Sequence, residues 1–171
     1  MKKTLFSTKA LVASALGAAL VFVLKRFVSI PSPVPNTNFD ISYGVIAFFS
    51  VVYGPVCGAL AGFIGHMLTD LTAGWGIWWT WVVGSGVYGA LVAVLAKIDA
   101  EKGYFETKDW ISLLFAVLIA NFVAWPIVSA AGDVFIYQDT WSNVLPQLAL
   151  AFGTNSITGF VIGGILLFAY S

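Results

Sequence analysis

Apolar residues fall in long blocks separated by short polar interruptions, and those interruptions set the elements. About 20 residues of helix cross the hydrocarbon of a bilayer. The first block runs from about Ser7 to Val28 and is stopped by IPSPVPNTN, Ile30 to Asn38. Three prolines in five residues impose extended geometry there, and Asn36, Thr37 and Asn38 supply turn and capping groups. A second block begins near Asp40, an N-cap candidate, and closes at Gly54-Pro55, which is short for a span. The third runs from about Val56 to Leu71, so Gly54-Pro55 reads as a tight turn between antiparallel helices. The linker Thr72 to Gly76 leads into a fourth block, Ile77 to Ala96, followed by the polar stretch Lys97 to Asp109, which belongs in water. The fifth block, Trp110 to Ala131, carries a kink candidate at Pro126. A polar loop from Gly132 to Ser142, holding Asp133 and Asp139, precedes the sixth block, Asn143 to Tyr170. The pattern predicts an all-α polytopic membrane protein, a bundle of six transmembrane helices in a single domain over residues 1–171.

Composition agrees with that pattern. Of 171 residues, 60% are apolar and 9% charged, against roughly 25% charged in soluble domains. Sixteen charges cannot cover a globular surface. Met1 to Leu24 has the outline of a signal peptide, but Lys25 and Arg26 follow at once and the remainder is equally apolar, so this stretch reads as the first span. The balance of eight basic and eight acidic residues argues against nucleic acid as a partner. A lone cysteine, Cys57, excludes an internal disulfide and a cysteine-cluster metal site.

Charge distribution orients the bundle. With six spans, Lys2, Lys3 and Lys9 share a side with Lys97, Lys102 and Lys108, and the opposite side carries Lys25 and Arg26. The excess predicts both termini in the cytoplasm. The proline-rich loop, the Asp70 to Trp79 connection and the Gly132 to Trp141 connection then face outside.

Catalytic signals are few. No G-x-x-x-x-G-K-[ST] loop or H-E-x-x-H element occurs. Candidates at membrane depth are His66, Asp70, Asn121, Asn155 and scattered hydroxyls. His66 and Asp70, four apart, share a helix face. With a third ligand they would hold a metal, and without one they form a polar pair near the outer end of the third helix. Intramembrane polar groups are costly and usually functional. Amides and hydroxyls suit an uncharged or heteroaromatic ligand. Trp75, Trp78, Trp79 and Trp81 lie within seven residues, with Trp125 and Trp141 elsewhere. An interfacial belt accounts for Trp75 and Trp141, whereas four tryptophans at one helix end must also point inward, where a flat ligand stacks. In the first helix Ala10, Ser14 and Ala18, and likewise Ala15 and Ala19, give small-residue faces that serve bundle packing or a partner's helices.

These residues resemble a known family. The Ala15-x-x-x-Ala19 element, the proline-rich first outer loop, and the stretches PNTNFDISYG (Pro35 to Gly44), YGPVCGALAGFIGHMLTD (Tyr53 to Asp70) and GWGIWWTWVVGSGVYG (Gly74 to Gly89) resemble the substrate-binding S components of energy-coupling factor (ECF) transporters. The likeness is to a riboflavin-type branch near which a cobalamin-specific member falls. The resemblance implies a non-catalytic subunit of the cell membrane, without cofactor or metal, that captures a vitamin outside. It further implies work with an ECF module of two ATPase subunits and one transmembrane scaffold subunit. Carried over by position, it nominates Asn36, Asn38, Asp40 and Tyr43 of the first loop, His66 and Asp70 of the third helix, Trp78, Trp79 and Trp81 of the fourth, and Asn121 and Trp125 of the fifth for substrate. It nominates Ala15 and Ala19 for the scaffold, with Gly17-Ala18 offering a second small face. Aromatic density fits riboflavin. The spread of the tryptophans and loops fits the larger cobalamin, which is preferred by a small margin. The alternatives are an intramembrane enzyme acting on a lipid or isoprenoid through His66 and Asp70, and a small channel-like structural protein.

Overall fold

The computed structural model describes residues 7–171, so Lys2 and Lys3, used above for orientation, lie outside the described residues. Six helices account for most of the chain. They are α1 (Thr8–Val28), α2 (Ser42–Tyr53), α3 (Pro55–Ala73), α4 (Trp79–Leu95), α5 (Thr107–Phe135) and α6 (Trp141–Tyr170). By length and composition α1, α3, α5 and α6 can cross a membrane. The 12 residues of α2 and 17 of α4 rise about 18 Å and 26 Å at ~1.5 Å per residue, short of a ~30 Å hydrocarbon core.

The helix boundaries have local causes. Ser7 accepts the Ala10 N–H at 3.1 Å and caps α1. The proline-rich loop folds back as a two-stranded ribbon, β1 (Ile30–Pro31) against β2 (Asn38–Phe39), antiparallel with Ile30 opposite Phe39. Ser32 knits its turn, donating to Thr37 O at 2.6 Å and accepting from Val34 N at 3.0 Å. The N-cap of α2 is Ile41 and not Asp40 as the sequence predicts; Asp40 stands one residue earlier and its carboxylate accepts the Ser42 N–H of the first turn at 2.8 Å. Gly54 separates α2 from α3 in one residue, with Pro55 opening α3, where a missing N–H costs nothing. Past α3, Gly74 and Gly76 at φ +89° and +85° make the turn into α4.

Two helices contain a more loosely wound stretch. In α1, Leu24–Val28 is a π-helical turn. In α5, Val123–Ala130 is π-helical around Pro126, whose missing N–H breaks the α-helical ladder. Pro126, where the sequence predicts a kink, lies within this stretch. The helix then continues to Phe135, so Asp133 sits in its last turn and not in the polar loop that the sequence pattern predicts from Gly132. The reason is tertiary: side chains of α4 satisfy the Asp133 carboxylate inside the bundle.

In a bilayer the helices are held by close packing and internal hydrogen bonds. The tightest pair is α3 with α4, where Gly58 and Gly89 face each other and a Cβ on Gly58 would stand 2.6 Å from Gly89 O. The core centres on Tyr43, Tyr88, Trp125, Val92, Leu113 and Leu167. On α1, Ala13, Ser14, Gly17 and Ala18 are buried in the bundle, whereas Ala15 and Ala19 face outward among exposed Leu11, Leu16 and Leu20.

Candidate ligand-binding site

The C-terminal ends of α1 and α3 and the N-terminal ends of α2, α4 and α6 meet beneath the proline-rich ribbon. They enclose a cavity of about 410 Å³. Eight of the substrate candidates line it: Asn36, Asn38, Asp40, Tyr43, His66, Asp70, Trp78 and Trp81. Three others stand outside the lining. Trp79 points away, half exposed against Phe63. Trp125 and Asn121 are fully buried behind the wall. Their place is explained by packing: Trp125 lies against Trp81 at 5.4 Å between ring centroids and against the edge of Tyr43 at 5.3 Å. Its indole N–H donates to Asn121 Oδ1 at 2.6 Å, and the Asn121 amide donates to Ser156 Oγ at 3.1 Å.

A continuous polar network forms the floor. Lys25 pairs with Asp40 in a close contact and lies 3.5 Å from the Tyr43 hydroxyl. Tyr43 Oη is 2.9 Å from Ser85 Oγ, which is 2.7 Å from His66 Nδ1. His66 Nε2 lies 3.6 Å from Asp70, which accepts the Trp78 backbone N–H at 3.0 Å and the Trp75 indole N–H at 3.4 Å. Asp70 thereby holds the loop that starts α4. Thr158 reaches across from α6 to donate to Asp40 O at 3.1 Å. Among the described residues no three His, Cys, Asp or Glu side chains gather as metal ligands.

Sequence reasoning missed several of these groups. Lys25 enters above only as a topological charge, yet its position near the end of an apolar helix, preceding the one acid of the first loop, was a signal that it needed a buried partner. Asn155, in the polar inventory but not among the site residues, lines the cavity, as do Gln147 and Trp75. Trp75 is therefore more than a belt residue, although it is also two-thirds exposed. At the opposite end, Lys102 bridges Glu106 and Asp109, and the nearby Lys108 ammonium holds the exposed Glu106 carboxyl below its ordinary pKa.

A helical membrane bundle with a partly polar, tryptophan-walled cavity at one end is a small-molecule-binding protein of the membrane. The chain belongs to the ECF-type riboflavin transporter S component family, which matches residues 5–171, and members of that family are non-catalytic substrate-binding subunits. It is 42% identical to a UPF0397 protein of Lactobacillus johnsonii over 96% of this chain and 90% of that one. It is also 42% identical to a UPF0397 protein of Streptococcus gordonii, over 100% and 94%. Two solved structures share the fold. The crystal structure of FolT bound with folic acid superposes with a TM-score of 0.67 at 15% identity, over 93% of this chain and 95% of that one. The S component of a bacterial ECF transporter superposes at 0.63 and 19%, over 95% and 93%. The comparisons give the lipid-enzyme alternative no support.

Proposed function

We propose that this chain is the vitamin-capturing subunit of an ECF transporter, with six membrane crossings, both termini in the cytoplasm and the cavity open to the outside of the cell membrane. Membership of the S component family supports the role, and the cavity is the observation that carries it. The positive-inside distribution supports the orientation. The short helices α2 and α4 count as crossings because each joins the cavity end to the opposite end, where Tyr53 lies beside Lys9.

Riboflavin is the ligand we put first, ahead of the cobalamin preferred from sequence. A volume of about 410 Å³ is that of a site for one compact ligand, in a range of ~300–1,000 Å³ for small-molecule pockets. A corrinoid would protrude through the mouth. The tryptophan faces suit a tricyclic ring and the amides suit a polyhydroxyl chain. Uptake requires an ECF module of two ATPase subunits and a transmembrane scaffold, docked through Ala15 and Ala19, which face out of the bundle.

Calorimetry of the purified solitary chain against riboflavin, folate and cobalamin tests the proposal. Tight binding of riboflavin without ATP is expected. Preferential binding of cobalamin or folate would replace the substrate, and binding of none of the three would remove the vitamin-capture reading.

A further inference from the structure

The carboxylate of Asp133 is 1% exposed and takes three side-chain donors, from Trp78 at the N-cap of α4 and from Thr80 and Trp81 of its first turn. Trp78 Nε1 donates at 2.8 Å and Thr80 Oγ1 in a closer contact to one oxygen, and Trp81 Nε1 donates at 2.6 Å to the other. Among the described residues no cation pairs with it. A buried carboxylate is held by charge-assisted hydrogen bonds at considerable desolvation cost, and here all three bonds are spent on the helix turn that forms the cavity wall.

We infer that Asp133 is a positioning residue for the ligand, a clamp that fixes the Trp78 and Trp81 rings and withholds both indole N–H groups from whatever the cavity binds. Asp133 does not itself line the cavity, whereas both tryptophans do. With the Trp75 N–H given to Asp70, each tryptophan of the lining has its donor occupied by protein. The wall therefore presents ring faces only, and hydrogen bonds to the ligand must come from the remaining lining, such as Asn36, Asn38 and Asn155. This selects a flat heteroaromatic ligand stacked on one side and hydrogen-bonded along another edge, and it rests on the vitamin-capture reading above. Two further contacts make the clamp rigid. Ser129, within the π-helical stretch of α5, shares its single hydroxyl proton between Thr80 O at 3.1 Å and Ala124 O at 3.0 Å, and Trp78 packs edge-on against Tyr137 at 5.3 Å. The loosely wound stretch thus ties α5 to the turn of α4 that Asp133 clamps.

The test is indole exchange in protein carrying ¹⁵N-tryptophan, whose seven indole signals are assigned by single Trp→Phe substitutions. In the wild type without ligand, Trp78 and Trp81 N–H should exchange with water far more slowly than the exposed Trp141, and should stay protected when riboflavin saturates the site. In Asp133→Asn, which loses one acceptor oxygen, at least one of the two signals should shift and exchange faster, and the riboflavin Kd should rise about tenfold. Placed in a Trp78→Phe/Trp81→Phe background, the same substitution should change Kd less than twofold, because the N–H groups through which Asp133 acts are gone. Fast exchange of both indoles in the wild type, loss of their protection on riboflavin binding, or an undiminished effect in the phenylalanine background would each overturn the inference. The unliganded exchange rates need neither a mutant that folds nor a bound vitamin. Failure of the wild type to bind riboflavin therefore counts against the substrate and leaves the clamp to be judged on its own signals.

Discussion

Replacing Lys25 by methionine isolates the electrostatics of the cavity floor. Lys25 and Asp40 have side chains only 14% and 5% exposed, so the pair sits where water screens it poorly. In Lys25→Met the Asp40 carboxylate keeps a single donor, the Ser42 N–H at 2.8 Å. Removing one member of a buried ion pair costs ~3–5 kcal/mol because the other charge is left uncompensated. The cavity admits water beside Lys25, which places the expected loss at the lower end, about 3 kcal/mol. For a chain of this length ~1 kcal/mol moves Tm by roughly 2–4 °C, so unfolding in detergent, followed by tryptophan fluorescence, should move down by about 6–12 °C. The decisive comparison is Lys25→Met/Asp40→Leu, which removes both charges and should recover most of the loss, since an apolar pair of similar bulk is often as stable as a buried ion pair. A single variant within 2 °C of wild type, or a double variant no better than the single, would refute the claim that these charges depend on each other.

Asn121→Ala should lower stability by roughly 1–3 kcal/mol, the cost of an unpaired buried donor, because it strands the Trp125 N–H, and thermal unfolding reads it directly. Trp81→Ala should weaken riboflavin binding about fivefold to tenfold, a stacking loss of ~1 kcal/mol or slightly more, whereas Trp79→Ala should change it less than twofold in the same calorimetry. Ala15→Trp or Ala19→Trp should abolish vitamin uptake by cells while leaving binding to the purified chain intact, since both residues face away from the bundle and a ring there bars close approach of a partner helix. A cysteine at Gln138 should react with an impermeant thiol reagent on whole cells and one at Glu101 should not, both positions being exposed and Cys57 fully buried.

The helices were legible because apolar blocks and proline-glycine punctuation are local signals. Each of the six blocks became a helix, with ends displaced by at most four residues, the largest shift being at the end of α5, which runs on to Phe135. The site was legible in part. His66, Asp70, Trp78 and Trp81 stand out as polar or aromatic groups at the ends of apolar helices, and they do converge. Trp79 was drawn in with its neighbours because periodicity gives the angle between side chains on a helix and not which of them faces the bundle axis. Asn121 and Trp125 lie behind the lining, and the sequence does not separate the two positions, because a polar-aromatic pair four residues apart reads the same whether it touches a ligand or supports the ring that does.

Asp133 shows what local pattern cannot carry. Beside Gly132, and a few residues before Gln138 and Asp139, it has the surroundings of a solvated loop, and only the partners supplied from α4 extend the helix through it. The same holds for Lys25, whose charge suits a membrane boundary until Asp40 is seen against it. Both are charges whose partners lie far away along the chain, 15 residues for Lys25 and more than 50 for Asp133. Their burial becomes intelligible only when the network is closed. Lys25 and Asp40 neutralise each other, Asp70 is occupied by the Trp78 and Trp75 donors, and Asp133 is filled by α4. With those charges satisfied inside the protein, the cavity presents ring faces, amides and one guanidinium, Arg26, which no acid pairs among the described residues. Under the proposed function, such a surface discriminates by shape and by hydrogen bonding, with the Arg26 guanidinium left to meet an acceptor on the ligand.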